Sequence, residues 1–172
     1  MSTFRASTAV SMLLLFGVGG RGPSHPAHGI GGRHRAKVAH GDSLRHLLRT
    51  TRSGFPYALR TVARDSVTFR KLWTEALSGD PGAPPTPQID FTRNMVTVAA
   101  MGSMPSTGFA ITIDSVVLRR SSLEVDVVLA SAGSLCIQGQ AMTNPVDIIE
   151  VARFPGLVTF RDRQVTVECK MP

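Results

Sequence analysis

The chain has 172 residues, 42% of them hydrophobic and only 6% aromatic, with a formal charge of +7. That is room for one domain with extensions, its core packed mainly by aliphatic side chains. The placement of the charge excludes a basic nucleic-acid-binding domain: residues 21–64 hold nine basic residues against one acid and residues 65–172 nine against eleven, so the expected folded region is nearly neutral.

Arg5 precedes an uncharged stretch, Ala6 to Gly20, centred on Met12-Leu13-Leu14-Leu15-Phe16. A positive residue ahead of a compact apolar run predicts a signal peptide over residues 1–20, too short for a membrane span. The expected location is therefore secreted or periplasmic, in a bacterial cell envelope. Residues 21–42 are rich in Gly, His, Arg and Pro and predict a disordered basic linker. His25, His28, His34, His40 and His46 fall in or beside it, but their spacing fits no compact site and no thiolate or carboxylate cluster accompanies them, so no metal or other cofactor is expected.

Residues 43–172 read as a single β-rich domain. Ser43–Arg49 predicts a short helix and Phe55–Val62 a first strand. Asp65 is a candidate N-cap for a helix running to Ser78, with Phe69, Leu72, Trp73 and Leu77 forming a stripe that must lie on a sheet. Trp73, set in that stripe, is expected to pack in the core rather than stack on a ligand. Prolines 81, 84, 85 and 87 then break both helix and sheet.

Six strands are predicted after that: Met95–Met101, Phe109–Leu118, Ser122–Leu129, Val146–Val151, Leu157–Phe160 and Gln164–Cys169. Phe109, Ile111 and Ile113 alternate with Ala110, Thr112 and Asp114, and Leu123, Val125 and Val127 with Glu124, Asp126 and Val128. Such strands suit an antiparallel sheet or small β-sandwich with one helix packed on it, a mainly β, α+β fold. Arg119–Ser122 reads as a turn, and Arg161-Asp162-Arg163 as another that closes a C-terminal hairpin. The even cysteine count of an exported chain favours a Cys136–Cys169 disulfide, closing about 33 residues and worth roughly 3–4 kcal/mol in the chain-entropy model. Two buried free thiols are the alternative.

The most informative stretch is Ile89–Ile113. Two alternating segments flank Gly102-Ser103-Met104-Pro105-Ser106-Thr107-Gly108, which reads as a hairpin with a preorganised tip. Pro105 fixes φ, Gly108 is free to take positive φ, and the Ser106 and Thr107 hydroxyls can cap backbone groups. That chemistry serves a binding loop and a plain β-connection alike.

From Asp65 onward the order of features resembles the C-terminal domain family of the PrcB protease-complex protein. The residues that carry the resemblance are Asp90 and Phe91, the loop Pro105-Ser106-Thr107-Gly108-Phe109, and the late Thr143-Asn144-Pro145. The chain departs from the family at Ser106-Thr107-Gly108, where a Gly pair is common, at Phe109 in place of Tyr, and at Val146, where an aromatic is frequent. The resemblance implies an exported accessory domain that stabilises or assembles a protease complex and has no catalytic activity of its own. From the loop chemistry we expect it to bind a protein partner, a protease or its precursor, with Pro105, Ser106, Thr107, Gly108 and Phe109 as the contact residues. The same loop is similar to one loop of chagasin-like cysteine-protease inhibitors, which implies inhibition as a second reading; a purely structural envelope protein is the third.

No enzyme is expected. Downstream of residue 46 there is no His, so a Ser-His-Asp or Cys-His arrangement would have to borrow one from the linker. Asp90, Asp114, Asp126 and Asp147 fall on strand edges and turns with no evident pairing, and Asp90 reads as a turn former.

Overall fold

A computed structural model describes residues 38–40 by their backbone, and residues 44–78 and 80–169 in full. The predicted signal peptide, most of the predicted linker and His25, His28 and His34 lie outside the described residues.

The architecture is mainly β, two four-stranded sheets face to face with one helix on the outer side of the second. In chain order the elements are β1 (Val38–His40), β2 (Arg45–Thr50), β3 (Leu59–Ala63), α1 (Ser66–Ala76), β4 (Asn94–Ala100), β5 (Phe109–Leu118), β6 (Ser122–Ala132), β7 (Val146–Ala152) and β8 (Leu157–Val167). The first sheet runs β1-β5-β6-β8 and the second β2-β7-β4-β3. All neighbours are antiparallel except β6 and β8, which are parallel.

The helix forms where the sequence places it. The Asp65 carboxylate accepts from the N–H groups of Thr68 (2.8 Å) and Val67 (3.0 Å). The Thr68 N–H and hydroxyl, then Val67 and the Lys71 charge, hold the Asp65 pKa below the ordinary aspartate value. Phe69, Trp73 and Ala76 are buried, and Trp73 Nε1 donates to the carbonyl of Pro84 at 3.2 Å. The proline-rich segment thus folds back over the helix and satisfies the indole while the ring fills the core. Gly54 meets the other end of the helix, donating from its N–H to the Ala76 carbonyl at 3.1 Å.

β4 and β7 are central strands covered on both faces, which explains their near-continuous apolar reading. Val96, Val98, Val146 and Ile148 face the helix. Met95, Ala99, Ile149 and Val151 face Ile111, Ile113, Val125 and Val127 of the first sheet.

Five expectations change. Ser43–Arg49 is not a helix: Leu44, Leu47 and Leu48 have helical spacing, but Arg45–Thr50 forms β2 on the edge of β7, with a bulge between His46 and Leu48. The first strand starts at Leu59 rather than Phe55, because Phe55 is buried against the helix cluster and Pro56 follows it. β4 and β5 are not a hairpin: they belong to different sheets, and the segment between them crosses from one layer to the other. Leu157–Val167 is one strand, with Arg161, Asp162 and Arg163 in register with Asp126, Val127 and Val128 of β6. The triplet has no Gly, Asn or Pro to make the tight turn, and the parallel β6 ladder extends it instead. Finally, Val38–His40, within the predicted linker, pairs with Ser115–Val117 as β1.

Candidate functional site

The crossover from β4 to β5 lies at one end of the sandwich, and its conformation starts with Gly102, at φ +79°. A Cβ there would lie 2.8 Å from the Ala58 nitrogen, so both the left-handed backbone and the close approach require glycine. Beyond it the chain is fastened to two other segments. Ser103 N–H donates to the Pro56 carbonyl at 3.2 Å, and Met104 and Thr143 exchange backbone hydrogen bonds of 2.7 and 2.9 Å. Thr143 Oγ1 donates to the Ser106 carbonyl (2.8 Å), and Asn144 Nδ2 donates to the Phe55 carbonyl (3.0 Å) and Ser103 Oγ (2.9 Å).

Two of the three stretches that carry the family resemblance, 105–109 and 143–145, are therefore fastened to each other, by the bond from Thr143 Oγ1 to Ser106 and by the Met104–Thr143 pair next to it. Ser106 is buried and its hydroxyl donates to Gln138 Oε1 at 2.7 Å. Thr107 N–H donates to the Gly139 carbonyl and Thr107 Oγ1 accepts from Gly139 N–H, at 3.1 and 2.8 Å. Pro105 and Thr107 are exposed at the rim, whereas Gly108 and Phe109 are half-buried as β5 begins. Of the five residues singled out in the sequence, two face solvent and three belong to the frame that holds them.

Sequence reading missed the side chains around this frame. Tyr57 is 82% exposed, Met142 72%, and Ile137 fully exposed, with Leu135 close to them in sequence. All lie in or beside segments 55–57 and 133–145, which the hydrogen bonds above tie to the crossover. Their signal was present, as Leu135, Ile137 and Met142 punctuate a stretch with no strand periodicity. Cys136, within it, is bonded to Cys169, and Gly133 N–H donates to the Val167 carbonyl at 2.9 Å. The disulfide and this bond tie the 133–139 segment to the end of β8.

A second polar cluster, also unforeseen, lies inside the sandwich. Asp147 is the second residue of β7, a central strand of its sheet, and is fully buried rather than lying on an exposed strand edge or turn. Its carboxylate accepts from Ile113 N–H of β5 (2.7 Å) and His46 Nδ1 (2.7 Å), with Arg49 Nη2 at 3.4 Å. Arg49 Nη2 also lies 3.0 Å from both ring nitrogens of His46, so the imidazole is held between the carboxylate and the guanidinium. The β2 bulge is what turns both His46 and Arg49 toward Asp147, since residues three apart in a regular strand face opposite ways. His46 is consequently part of the fold rather than of a tail. Outside the cluster, Arg45 pairs with Glu150, which also accepts from Asn94 Nδ2 at 2.6 Å. Arg60 takes Asp162 through two 2.9 Å bonds.

Asp90 is a turn residue, as read: it accepts from Thr92 Oγ1 (2.5 Å) and Thr92 N–H (3.0 Å), and these bonds, the hydroxyl first, lower its pKa. Asp114 is exposed beside a β5 bulge and Asp126 accepts from Ser115 Oγ at 2.7 Å. Among the described residues no group of three or more His, Cys, Asp or Glu is arranged to hold a metal ion, and no helix is long and apolar enough to cross a membrane.

No curated protein and no solved structure matches the chain. Residues 95–152, from β4 through β7 and including both the crossover and the Thr143-Asn144-Pro145 segment that fastens it, match the model of the family described as PrcB C-terminal.

Proposed function

We propose that the protein is an exported, non-catalytic accessory domain that binds a protein partner, a protease or its precursor, through the end of the sandwich that carries the crossover. The observation that carries this reading is the set of exposed apolar side chains, Tyr57, Ile137 and Met142, around a hydrogen-bonded frame that includes the exposed Pro105. These side chains sit on segments that the frame's hydrogen bonds hold to one another, and large apolar groups left on a water-facing surface in such an arrangement support an interaction surface. A frame already fixed by hydrogen bonds lowers the ordering cost of association. The family match supports the accessory role, and the disulfide is compatible with an oxidising compartment. Among the candidate acids and bases, the His46 imidazole is engaged by Asp147, which speaks for structure rather than proton transfer.

Photo-cross-linking side chains placed at Ile137 and Met142 test the reading, with one at the exposed Val67 of α1 as control. The expected outcome is one common protein joined to the first two positions and absent from the third, its protease identity checked by activity. Equal labelling from all three positions would count against the surface. Inhibition of a papain-type enzyme by the purified chain would instead favour the chagasin-like reading, which rests on the Pro105–Phe109 loop alone.

A further inference from the structure

We propose that the outer edge of β8 is a docking site for an extended acidic segment of a protein partner, added to the first sheet as a further strand. β8 is 11 residues long and ends its sheet, with β6 on one side and no strand paired on the other among the described residues. Alternate N–H and C=O groups along that edge therefore face outward. A row of unpaired donors and acceptors is matched in series only by another extended chain.

The charges in the middle of the strand select which chain. A twofold axis normal to the sheet would pair a residue of β8 only with one of the same face in a second copy. Centred on Arg161 or Arg163 it sets an arginine against itself; centred on Asp162 it sets Asp162 against itself and Arg161 against Arg163. Like charges directly opposite destabilise a strand pair, so a second copy is a poor occupant in the registers of greatest overlap, those centred on residues 161–163. The chain's own N-terminal segment is no better, since residues 1–37 contain no Asp or Glu.

An acidic segment fits. Arg161 and Arg163 lie on one face of β8 and are exposed. Arg163 reaches Asp114 only at 3.8 Å, and Arg161 has no ion pair among the described residues. Asp126, the β6 register partner of Arg161, accepts the Ser115 hydroxyl. Asp162, the acid of the triplet, is on the other face and already held by Arg60. Two carboxylates at alternate positions of an incoming strand would stand opposite the two arginines.

The test is binding of labelled Thr/Val peptides to the full chain, one with Glu at two alternate central positions, one with Lys there, and one Glu peptide N-methylated along the edge-facing backbone. The Glu peptide is expected to bind at least about tenfold tighter than the Lys peptide, and methylation to abolish binding. The R161E/R163E variant should reverse the preference, and R161Q/R163Q, which keeps the strand if the charge swap does not fold, should lose it. No binding of the Glu peptide, a preference unmoved by these variants, or self-association of the chain through β8 would overturn the proposal. The cross-linking test above reads a different surface and stands or falls separately.

Discussion

The molecule holds itself together with polar groups in two places, and in opposite ways. At Asp147 a buried charge collects partners from β2 and β5 and ties the two sheets at one corner. At the crossover, neutral hydroxyl, amide and backbone groups tie three loops into a frame next to solvent. A charge inside the sandwich is tolerable only with several partners, and removing it strands them all. A neutral frame divides its stability over many bonds of modest worth. The first arrangement suits a joint that must not open; the second suits a surface whose rim can vary.

The sharpest test of the contrast is Asp147→Ala, which leaves Ile113 N–H and His46 without their carboxylate acceptor. A loss of about 3–5 kcal/mol in urea denaturation is expected, and Asp147→Asn, which can still accept from Ile113 N–H, should lose less. In the frame, Gly102→Ala meets both positive φ and the Ala58 nitrogen and should cost about 1–3 kcal/mol. Thr143→Val removes the donor to the buried Ser106 carbonyl, with a similar cost of about 1–3 kcal/mol by the same measurement. Thr97→Val makes the same exchange where the buried hydroxyl has no partner among the described residues. It should be neutral or stabilise by up to about 1 kcal/mol, so that one substitution type changes sign between the two sites. Tyr57→Ser combined with Met142→Ser should move stability by no more than about 0.5 kcal/mol while abolishing the cross-links from Ile137.

A pH titration adds a smaller effect far from both places. Asp65 has a lowered pKa in the fold, so its contribution is complete above the unfolded value and is lost as pH falls through the lowered one, below the ordinary aspartate range. Asp65→Asn should flatten that acid limb of the stability curve, as read by thermal melting.

Local patterns were legible where one rule governs. Alternation located β5 and β6, and the Asp65 cap with its apolar stripe located α1. What escaped depends on partners distant in sequence. Leu44, Leu47 and Leu48 match a helix until β7 takes the segment as a strand. Arg161-Asp162-Arg163 has the polarity of a turn until β6 pairs with it. A loop between two alternating segments reads the same whether they pair or sit in different sheets, so the hairpin was expected and the crossover found. The site was half legible: the loop and the Thr143-Asn144-Pro145 segment stood out by residue type, but not that each fastens the other. The charge was misleading in an instructive way. The excess of arginine in the N-terminal part pointed to a tail, yet Arg45, Arg49 and Arg60 pair with Glu150, Asp147 and Asp162. Part of that asymmetry is an attraction between the two ends of one domain.

That attraction spans a long stretch of chain. The contacts Arg45–Glu150, His46–Asp147 and Arg60–Asp162 join residues 105, 101 and 102 positions apart. Closing loops of that length before any contact rewards them makes folding slow. β2 cannot find its place until β7 has been synthesised, so a growing chain stays open through most of its length. On the export proposed above, that delay would keep the polypeptide threadable until the last strands arrive.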